Sequence, residues 1–213
     1  METYPNIQGS TKAPRKPCVA FCKYDGSNIR FEWSKKRGWY KFGTRSQMID
    51  HASEIYGVAV PIFLEKYGDA IARVFVDSKD FRGRDKAVVF CEFFGAKSFA
   101  GIHFDNDPKD LVLFDVSVYK KGILGPKNFL RHFGHLDVAE VVYKGNLNEE
   151  FIRAVREGGI GFKSARPIKT RIWEGVVCKG GDSHELWMAK VKTYQYRDEL
   201  QKLYSGNWLS FWE

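Results

Sequence analysis

Lys23-Tyr24-Asp25-Gly26-Ser27-Asn28 is the stretch around which the rest of this sequence is organised. It follows the apolar run Cys18–Cys22 and precedes the alternating run Ile29–Trp33. A strand, a tight glycine turn and a second strand are therefore predicted here. A lysine at the end of an apolar strand becomes an amine nucleophile when burial or nearby cations lower its pKa. A surface lysine beside a hairpin turn is the alternative interpretation of the same residues.

Four more charged residues interrupt strands that are otherwise apolar. Glu92 lies in the run Ala87–Gly95, and Glu174 lies in a later apolar run. A carboxylate at such a position needs a partner or a ligand, because burying an unpaired charge costs free energy. Side chains alternate across a strand, so Lys190 and Lys192 point to the same face, where they repel each other unless an anion lies over them. An exposed sheet face with mixed charges is the alternative.

The composition indicates an intracellular protein that attracts polyanions. The 213 residues carry a net charge of +8, and 44% of them are hydrophobic, enough for a sizeable core. No run of 18 apolar residues and no charged-then-apolar leader occurs, so we expect neither a membrane span nor a secretion signal. The cysteines lack a Cys-x-x-Cys pair, and the glycines lack the spacing of a P-loop. We therefore predict a cytoplasmic protein with reduced cysteines, and leave open a phage or viral origin.

Apolar periodicity and turn residues divide the chain into a short arm and one domain. Residues 1–17 are predicted to form an irregular basic arm, and residues 18–213 a single domain. Residues 18–45 are predicted to form a three-stranded meander, and residues 47–76 a mainly helical segment that Pro61 interrupts or starts. The remaining predicted elements are strands at 87–95, 111–119, 171–179 and 185–193, and helices at 126–134, 148–157 and 194–204. Asn148 is predicted to be the N-cap of the second of these helices.

The charged strand residues occur in an order that resembles the motif set of the covalent nucleotidyltransferase superfamily, which includes DNA ligases, RNA ligases and mRNA capping enzymes. The resemblance covers about residues 18–193. The segments that carry it are Lys23-Tyr-Asp-Gly, Phe90-Cys-Glu92-Phe-Phe-Gly95, Phe114-Asp115-Val116, Glu174-Gly-Val-Val-Cys-Lys179 and Ala189-Lys190-Val-Lys192. Any one of these motifs is weak, but five in order indicate the same family.

Two positions favour the RNA ligase 2-like family, of phage and kinetoplastid type. DNA ligases and capping enzymes usually carry arginine at the fifth position after the nucleophilic lysine, where this chain has Asn28. Thr44-Arg45-Ser46 is similar to the segment whose arginine contacts the nucleotide and the strand end in that family. The resemblance implies an α+β fold, an ATP-grasp-like nucleotidyltransferase domain of two antiparallel sheets around a nucleotide cleft with flanking helices. It covers the catalytic domain only, and no appended OB or other C-terminal domain is expected.

The resemblance also implies a role for each candidate site residue. Lys23 would attack the α-phosphate of ATP to form a lysyl-AMP, and a basic pocket with a divalent cation would disfavour its charged form. Lys190 and Lys192 would hold the α-phosphate and stabilise the transition state. Glu174 would bind Mg²⁺ or Mn²⁺, directly or through water. The other implied nucleotide contacts are Asp25, Gly26 and Asn28 in the nucleophile turn, Arg45, Glu92 at the ribose, Leu111 or Leu113 at the adenine, and Lys179 at a phosphate.

The implied function is ATP-dependent ligation of a polynucleotide, with RNA as the expected substrate. AMP would pass from Lys23 to a 5′-phosphate end, and a 3′-OH would then displace AMP to seal the strand. The alternatives are a minimal ATP-dependent DNA ligase, a guanylyltransferase that uses GTP, and a non-catalytic nucleic-acid-binding module that keeps the fold. With only about 20 residues after Lys192, an accessory nucleic-acid-binding protein is a further expected partner, and a membrane is not.

Overall fold

Two β-sheets and five α-helices make up the described part of the chain in this computed structural model. The structure describes residues 2–96, 106–160 and 174–212. The strands are β1 (Gln8–Gly9), β2 (Pro17–Lys23), β3 (Ser27–Ser34), β4 (Gly38–Thr44), β5 (Met48–Ile49), β6 (Lys86–Phe94), β7 (Asp110–Val118), β8 (Gly122–Ile123), β9 (Val141–Asn146), β10 (Gly175–Gly180) and β11 (Trp187–Lys192). The helices are α1 (Ala59–Phe63), α2 (Asp69–Asp77), α3 (Pro126–Phe133), α4 (Glu149–Arg156) and α5 (Tyr194–Tyr204). The predicted α+β fold class is confirmed.

The two sheets are built mostly from antiparallel pairs. The first sheet has the strand order β1-β11-β10-β2-β9, in which only the β1–β11 pair is parallel. The second sheet has the order β5-β4-β3-β6-β7-β8, and all its pairs are antiparallel. Strands from both ends of the chain therefore meet in the first sheet, where β2 lies beside β10 and β10 beside β11. Residues 171–173 of the strand predicted at 171–179 lie outside the described residues.

The predicted three-stranded meander over residues 18–45 is wrong in its pairing, although all three strands exist. β2 pairs with β9 and β10 in the first sheet, whereas β3 and β4 pair in the second. The chain crosses from one sheet to the other at Tyr24-Asp25-Gly26. Gly26 permits the crossing, because a Cβ at this position would lie 2.4 Å from the carbonyl oxygen of Phe93. Alternating hydrophobicity predicts a strand but not its neighbour, which explains the error.

The segment predicted as mainly helical over 47–76 begins its first helix at Ala59. Residues 48–49 instead form β5, at the edge of the second sheet. Pro61 lies in the first turn of α1, where the missing N–H has no helical partner to lose. A π-helical turn at Leu64–Gly68 then leads into α2. The apolar period of this segment therefore predicted the helices but not the point at which they start.

Helices α3, α4 and α5 occupy the segments predicted for them. As predicted, Asn148 caps α4, since its Oδ1 accepts a hydrogen bond of 2.8 Å from the backbone N–H of Phe151. Thr193 caps α5 in the same way, and its Oγ1 accepts from the N–H of Tyr196 at 3.1 Å. Capping side chains thus mark where α4 and α5 begin.

The helices cover one face of each sheet. α1, α2 and α3 pack on the second sheet, where Phe31 of β3 stacks on Phe63 of α1 with ring centroids 3.7 Å apart. α4 packs on the first sheet through Phe151, Ile152 and Val155. Because side chains alternate across each strand, polar residues are left to face the space between the sheets.

Residues 2–17, within the segment predicted as an irregular arm, contact both sheets in the structure. β1 pairs in parallel with β11 of the first sheet, and a 3-10 turn follows at Ser10–Lys12. Arg30 of β3, in the second sheet, donates hydrogen bonds to the carbonyl oxygen of Glu2 and to the hydroxyl of Thr3, at 3.0 and 2.6 Å. The N-terminal segment is therefore tied to one strand of each sheet.

A buried ion pair connects the two sheets. Lys179 of β10 and Asp115 of β7 are 2% and 0% exposed, and Lys179 Nζ lies 2.7 Å from Asp115 Oδ2. Lys179 also donates a hydrogen bond of 2.9 Å to the carbonyl oxygen of Phe114, and the hydroxyl of Tyr4 donates to Asp115. Burial lowers the pKa of Lys179 and raises the pKa of Asp115, so each charge depends on the other for its stability.

The state of the cysteines and the character of the helices can be compared with the sequence predictions. All four cysteines (Cys18, Cys22, Cys91 and Cys178) are free and buried, as predicted. In the three ranges that the structure describes, no helix combines the length and the apolar character needed to cross a bilayer.

Replacing Lys179 with methionine should lower the free energy of unfolding by about 3–5 kcal/mol, because the Asp115 carboxylate stays buried without its counter-ion. Urea unfolding followed by circular dichroism measures this loss. Lys202→Met is the matched control, since Lys202 pairs with Glu199 at the surface and should unfold near the wild-type urea concentration. Equal losses in the two variants would contradict a structural role for the buried pair.

Candidate active site

A cavity of about 490 Å³ lies between the two sheets. This volume is within the range of about 300–1,000 Å³ that is typical of sites for small ligands. The first sheet contributes lysines to the wall, the second contributes polar and acidic side chains, and the N-terminal segment lines one side. The predicted site residues that line the cavity are Lys23, Gly26, Asn28, Arg45, Glu92, Lys179, Lys190 and Lys192.

Lys23 ends β2, and its ammonium forms an ion pair with Glu174. Lys23 Nζ lies 2.8 Å from Glu174 Oε2, and Lys192 Nζ lies 2.8 Å from the other oxygen, Oε1. The three residues come together because β10 lies between β2 and β11, with Gly175 opposite both lysines. Gly175 has a φ of +147°, and a Cβ there would lie 2.0 Å from the carbonyl oxygen of Val191. The position after Glu174 therefore requires glycine.

The charge state of Lys23 depends on the carboxylates beside it. Burial alone would lower the pKa of Lys23, but the carboxylates of Glu174 and Glu92 outweigh burial and raise it. Burial likewise opposes ionisation of Glu174, yet Lys23 and Lys192 hold the pKa of this carboxyl below its usual range. Lys23 is therefore an ammonium in this arrangement. The predicted loss of its charge supposes a divalent cation in the pocket as well, and it stays a prediction.

Lys190 and Lys192 both line the cavity from β11, as the alternation of the strand predicts. Ala189 and Val191 point the other way and are buried in the apolar cluster under α4. Lys192 is 5% exposed, burial lowers its pKa, and it also donates a hydrogen bond to the carbonyl oxygen of Phe211. With Lys23, this wall carries three ammonium groups that an anion can contact.

Asn28 of β3 and Glu92 of β6 lie side by side on the opposite wall of the cavity, because the two residues are directly paired in the second sheet. Desolvation raises the pKa of Glu92 to about 8, with Lys23 opposing the shift and Glu174 adding to it. Asn28 Oδ1 is buried and has no hydrogen-bond partner within the described residues. Buried acceptors are normally satisfied, so this oxygen suits a donor group on a ligand.

Asp25 belongs to the nucleophile turn, but its side chain does not line the cavity. Its Oδ1 accepts a hydrogen bond of 3.0 Å from the hydroxyl of Tyr196 in α5. Burial raises the pKa of Asp25 to about 7, and the charge of Glu174 adds to the shift. This contact fixes Asp25 against α5, and the predicted contact of Asp25 with the nucleotide stays a prediction.

The position predicted for Leu111 or Leu113 beside the adenine is taken by a different residue. Both leucines are 0% exposed in the core under the helices, and neither lines the cavity. Phe114 lines it instead. The reason is a β-bulge, because the register between β6 and β7 shifts between Phe90 and Cys91 and leaves Phe114 as the extra residue. The cavity therefore offers an aromatic ring for stacking, where the sequence predicted leucine.

Lys179 also lines the cavity, but its ammonium group is directed toward Asp115 and away from the other lysines. Its ammonium is held by Asp115 and by the carbonyl oxygen of Phe114. The predicted contact of Lys179 with a phosphate would have to compete with this buried ion pair. The geometry favours a role in holding Phe114 at the wall of the cavity.

The cavity residues that were not predicted include Tyr4, Asn6, Tyr56 and Phe114. Arg45, exposed at the mouth, donates a hydrogen bond of 2.8 Å to Asn6 Oδ1. The hydroxyl of Tyr56 lies 3.3 Å from Ser27 Oγ. Tyr4, Asn6 and Tyr56 lie outside regular strands and helices, so no periodic pattern marks them. Phe114 could have been predicted if the cavity wall had been assigned to the motif Phe114-Asp115 and not to the leucines that precede it.

Glu174 is the carboxylate of this site that best suits a divalent cation. Mg²⁺ is usually held by one or two carboxylates together with water and substrate phosphates, and it seldom has an all-protein cage. Across residues 2–96, 106–160 and 174–212, no group of three or more His, Cys, Asp or Glu side chains is arranged to hold a metal ion. The hard oxygens of Glu174, next to a cavity that could hold a phosphate, fit Mg²⁺ or Mn²⁺.

Solved structures of RNA ligases share this fold. The Naegleria gruberi RNA ligase with PPi has a TM-score of 0.64 and 12% identity, over 95% of this chain and 58% of that chain. A mutant of the same enzyme with ATP and Mn has a TM-score of 0.63 and 13% identity, over 90% and 56%. An archaeal ATP-dependent RNA ligase has a TM-score of 0.57 and 18% identity, over 95% and 51%. This chain thus spans little more than half the length of these relatives, and at such identities the likeness shows the fold alone.

Family membership is shown by the sequence match. No curated protein sequence matches the chain significantly. A sequence model of the RNA ligase family, however, matches residues 16–192, which include both lysine-bearing strands β2 and β11. Because this match extends over most of the chain, from the strand that carries Lys23 to Lys192, the chain belongs to the RNA ligase family.

Proposed function

We propose that this chain is an ATP-dependent RNA ligase that forms a lysyl-AMP at Lys23. The observation that carries the proposal is the arrangement of Lys23 and Lys192 on the two oxygens of Glu174 beside the cavity. A surface lysine next to a hairpin turn would be solvated, whereas the side chain of Lys23 is 24% exposed and its partner Glu174 is 4% exposed. Such a cluster of buried charges is more typical of a reaction site than of a sheet surface.

The relatives support ATP as the nucleotide. Structures of the Naegleria gruberi enzyme include mutants with ATP and Mn and with AMP and Mn, and the enzyme with PPi. In the proposed reaction ATP is the substrate, and AMP and pyrophosphate are the two parts into which it divides. ATP, with Mg²⁺ or Mn²⁺, is therefore the proposed cofactor set of this chain.

In the proposed first step, the neutral Lys23 amine attacks the α-phosphorus of ATP. A P–N bond forms to Nζ, the bond between the α-phosphorus and the bridging oxygen breaks, and its electron pair leaves with pyrophosphate. Lys23 loses one proton to solvent before the attack and a second one from Nζ once the P–N bond has formed, and the ion pair with Glu174 opposes the first loss. Glu174 therefore has to give up its contact with Lys23 before the attack.

The remaining cavity residues place the nucleotide. Lys190 and Lys192 lie on the wall beside Lys23, where they would stabilise charge on the α-phosphate during the attack. Phe114 would stack on the adenine ring. Asn28 Oδ1 would accept a hydrogen bond from the nucleotide, and Glu92, with a pKa of about 8, could both donate and accept with the ribose hydroxyls.

Glu174 is the proposed ligand of the divalent cation, with water completing the coordination. When bound, such a cation supplies positive charge next to the phosphates of the nucleotide. Lys192, which shares Glu174 with Lys23, would remain close to the same charges.

The later steps use the ends of a polynucleotide. AMP passes from Lys23 to an oxygen of a 5′-phosphate, while Nζ takes up a proton, the P–N bond breaks and the amine is restored. The 3′-OH oxygen then attacks the 5′-phosphorus and loses its proton to solvent, and AMP leaves. Arg45, exposed at the mouth, is the proposed contact for the 5′-phosphate. RNA is the proposed polynucleotide because the matched family is that of RNA ligases.

The location and the further partners of this reaction are also proposals. The four free, buried cysteines suit a reducing compartment, so we place the protein in the cytoplasm. An accessory nucleic-acid-binding protein would add to the grip on the polynucleotide. DNA ends, offered in parallel with RNA ends, test the alternative of a DNA ligase.

Incubation with ATP and Mg²⁺ should add one AMP to the wild-type protein and none to Lys23→Ala, because the variant lacks the attacking amine. Intact-protein mass and peptide mapping locate the adduct. Lys127→Ala, which alters an exposed lysine on α3, is the matched control and should be labelled like the wild type. GTP, offered separately, tests the guanylyltransferase alternative. If every ribonucleoside triphosphate left the wild type unlabelled, or if the label lay on another residue, the proposal would be wrong.

In the absence of nucleotide, Lys23 should react with acetic anhydride only at high pH, because its pKa is raised and only the free amine reacts. Glu174→Gln should move the midpoint of this reaction to lower pH, since it removes the carboxylate that stabilises the ammonium. Peptide mapping of protein labelled across a pH series measures the midpoint. Glu149→Gln, at an exposed position of α4, should leave the midpoint unchanged. An unshifted midpoint in Glu174→Gln would rule out this control of Lys23.

A further inference from the structure

A second cluster of cations, which we call the basic hairpin patch, surrounds the turn between β3 and β4. It lines a concavity of about 540 Å³ at the end of the second sheet that is remote from Lys23. All its cationic side chains are exposed. Among the described residues, Asp85 is the one acid that lines the concavity. The members of the basic hairpin patch are Lys35, Lys36, Arg37, Tyr40, Lys41 and Lys86.

Within the described ranges, none of the five cations of the basic hairpin patch forms an ion pair with a carboxylate. Arg37 and Lys41 lie over the ring of Tyr40, at 5.3 and 5.6 Å from its centroid, and the hydroxyl of Tyr40 donates to the buried Glu32. Five like charges around one concavity repel each other, and an anion that binds there relieves this repulsion. Cations around a half-buried aromatic ring such as that of Tyr40 are typical of surfaces that bind nucleic acids.

The basic hairpin patch lies on the same face of the second sheet as the cavity. Asn28, Arg30 and Glu32 share one face of β3, because side chains alternate along a strand and the residues between them are buried in the core. Asn28 lines the cavity, and Glu32 holds Tyr40 of the patch. Four residues of strand span about 13 Å. A single ligand that is longer than a nucleotide can therefore contact both places.

The path between the two places is covered by the N-terminal segment. Arg30, midway along it, is 7% exposed and holds the backbone of Glu2 and the hydroxyl of Thr3. Arg30 is thus not available to a phosphate. We therefore expect a ligand to make contacts at the two ends of the path, in the cavity and at the basic hairpin patch. A ligand that reaches only one end gains no binding free energy from the other end.

We propose that the basic hairpin patch binds the phosphate backbone of the polynucleotide whose end lies in the cavity. This inference rests on the proposed ligase function and adds to it a second contact, away from the reacting end. Phosphates of one strand follow each other at about 3.4 Å along a duplex axis, so 13 Å corresponds to about four nucleotides. Contacts with phosphates set the position of a strand without reading its sequence.

The test compares RNA binding by two triple variants that lose the same charge. Lys35→Ala/Lys36→Ala/Lys41→Ala removes cations of the basic hairpin patch. The control, Lys16→Ala/Lys127→Ala/Lys144→Ala, removes three exposed lysines elsewhere on the chain. Fluorescence anisotropy is recorded at several salt concentrations with 5′-phosphorylated RNAs of about three and about twelve nucleotides, which are shorter and longer than the estimated spacing. No ATP is added, so binding is measured whether or not Lys23 becomes adenylylated.

With the longer RNA, the patch triple variant should bind about tenfold more weakly at low salt, and the salt slope of log Kd should fall by about one for each cation removed. The control triple variant should keep the wild-type affinity and slope. With the short RNA, the two triple variants should bind alike. Wild-type protein that fails to label at Lys23 but shows these differences would refute the ligase function and leave the binding surface standing.

Three outcomes would overturn the inference. The two triple variants could show the same affinity and slope with the longer RNA, or the patch triple variant could lose as much affinity for the short RNA as for the longer one. Polyglutamate of matched charge could also displace the longer RNA from the wild type as well as unlabelled RNA does. If thermal denaturation shows that the patch triple variant is unfolded, the comparison is made with Lys36→Ala against Lys127→Ala, for which a difference of about one in salt slope decides.

Discussion

The buried ion pair between Lys179 and Asp115 is the constraint on which the relative placement of the two sheets depends. Its ammonium lies among the rings of Phe21, Phe114 and Phe129, at 5.0, 5.8 and 5.8 Å from their centroids. It also holds the carbonyl oxygen of Phe114, and its carboxylate partner accepts from Tyr4. One charge pair thus fixes a strand of each sheet, the N-terminal segment and the aromatic wall of the cavity. Such an arrangement is sensitive to loss of either partner, because the other charge would be buried alone.

Glu174 determines the resting charge of the cavity. Each of its oxygens forms an ion pair with one lysine, and the carboxylate thereby offsets the repulsion between the two ammonium groups. The same contacts raise the pKa of Lys23 and keep the amine protonated. In the proposed reaction, the site therefore has two forms. In the protected form Glu174 forms an ion pair with Lys23, and in the reactive form this ion pair is broken. The difference between the two is a change of partner for one carboxylate.

Local sequence patterns predicted the structural features that depend on residues close together in the chain. The strands around Lys23 and Lys190, the cap at Asn148 and the α+β class follow from periodicity and side-chain hydrogen bonds, and the structure agrees with them. The pairing of β2 was not predictable, because it depends on strands more than a hundred residues away. Phe114 was missed because a bulge shifts the register by one residue, and a period-two pattern assumes regular pairing. The raised pKa of Lys23 depends on a 2.8 Å contact that no spacing in the sequence reveals.

The crossing of the chain at Tyr24-Asp25-Gly26 has a consequence for the stability of the whole protein. Lys23 belongs to the first sheet, whereas Asn28 and Glu92 belong to the second, and only a short turn joins β2 to β3. A small molecule that touches both walls acts as a non-covalent crosslink between the two layers of the fold. At a concentration about one hundred times its Kd, such a ligand would add about 2.7 kcal/mol to the free energy of unfolding. Occupancy of the cavity would therefore protect strands that never contact the ligand.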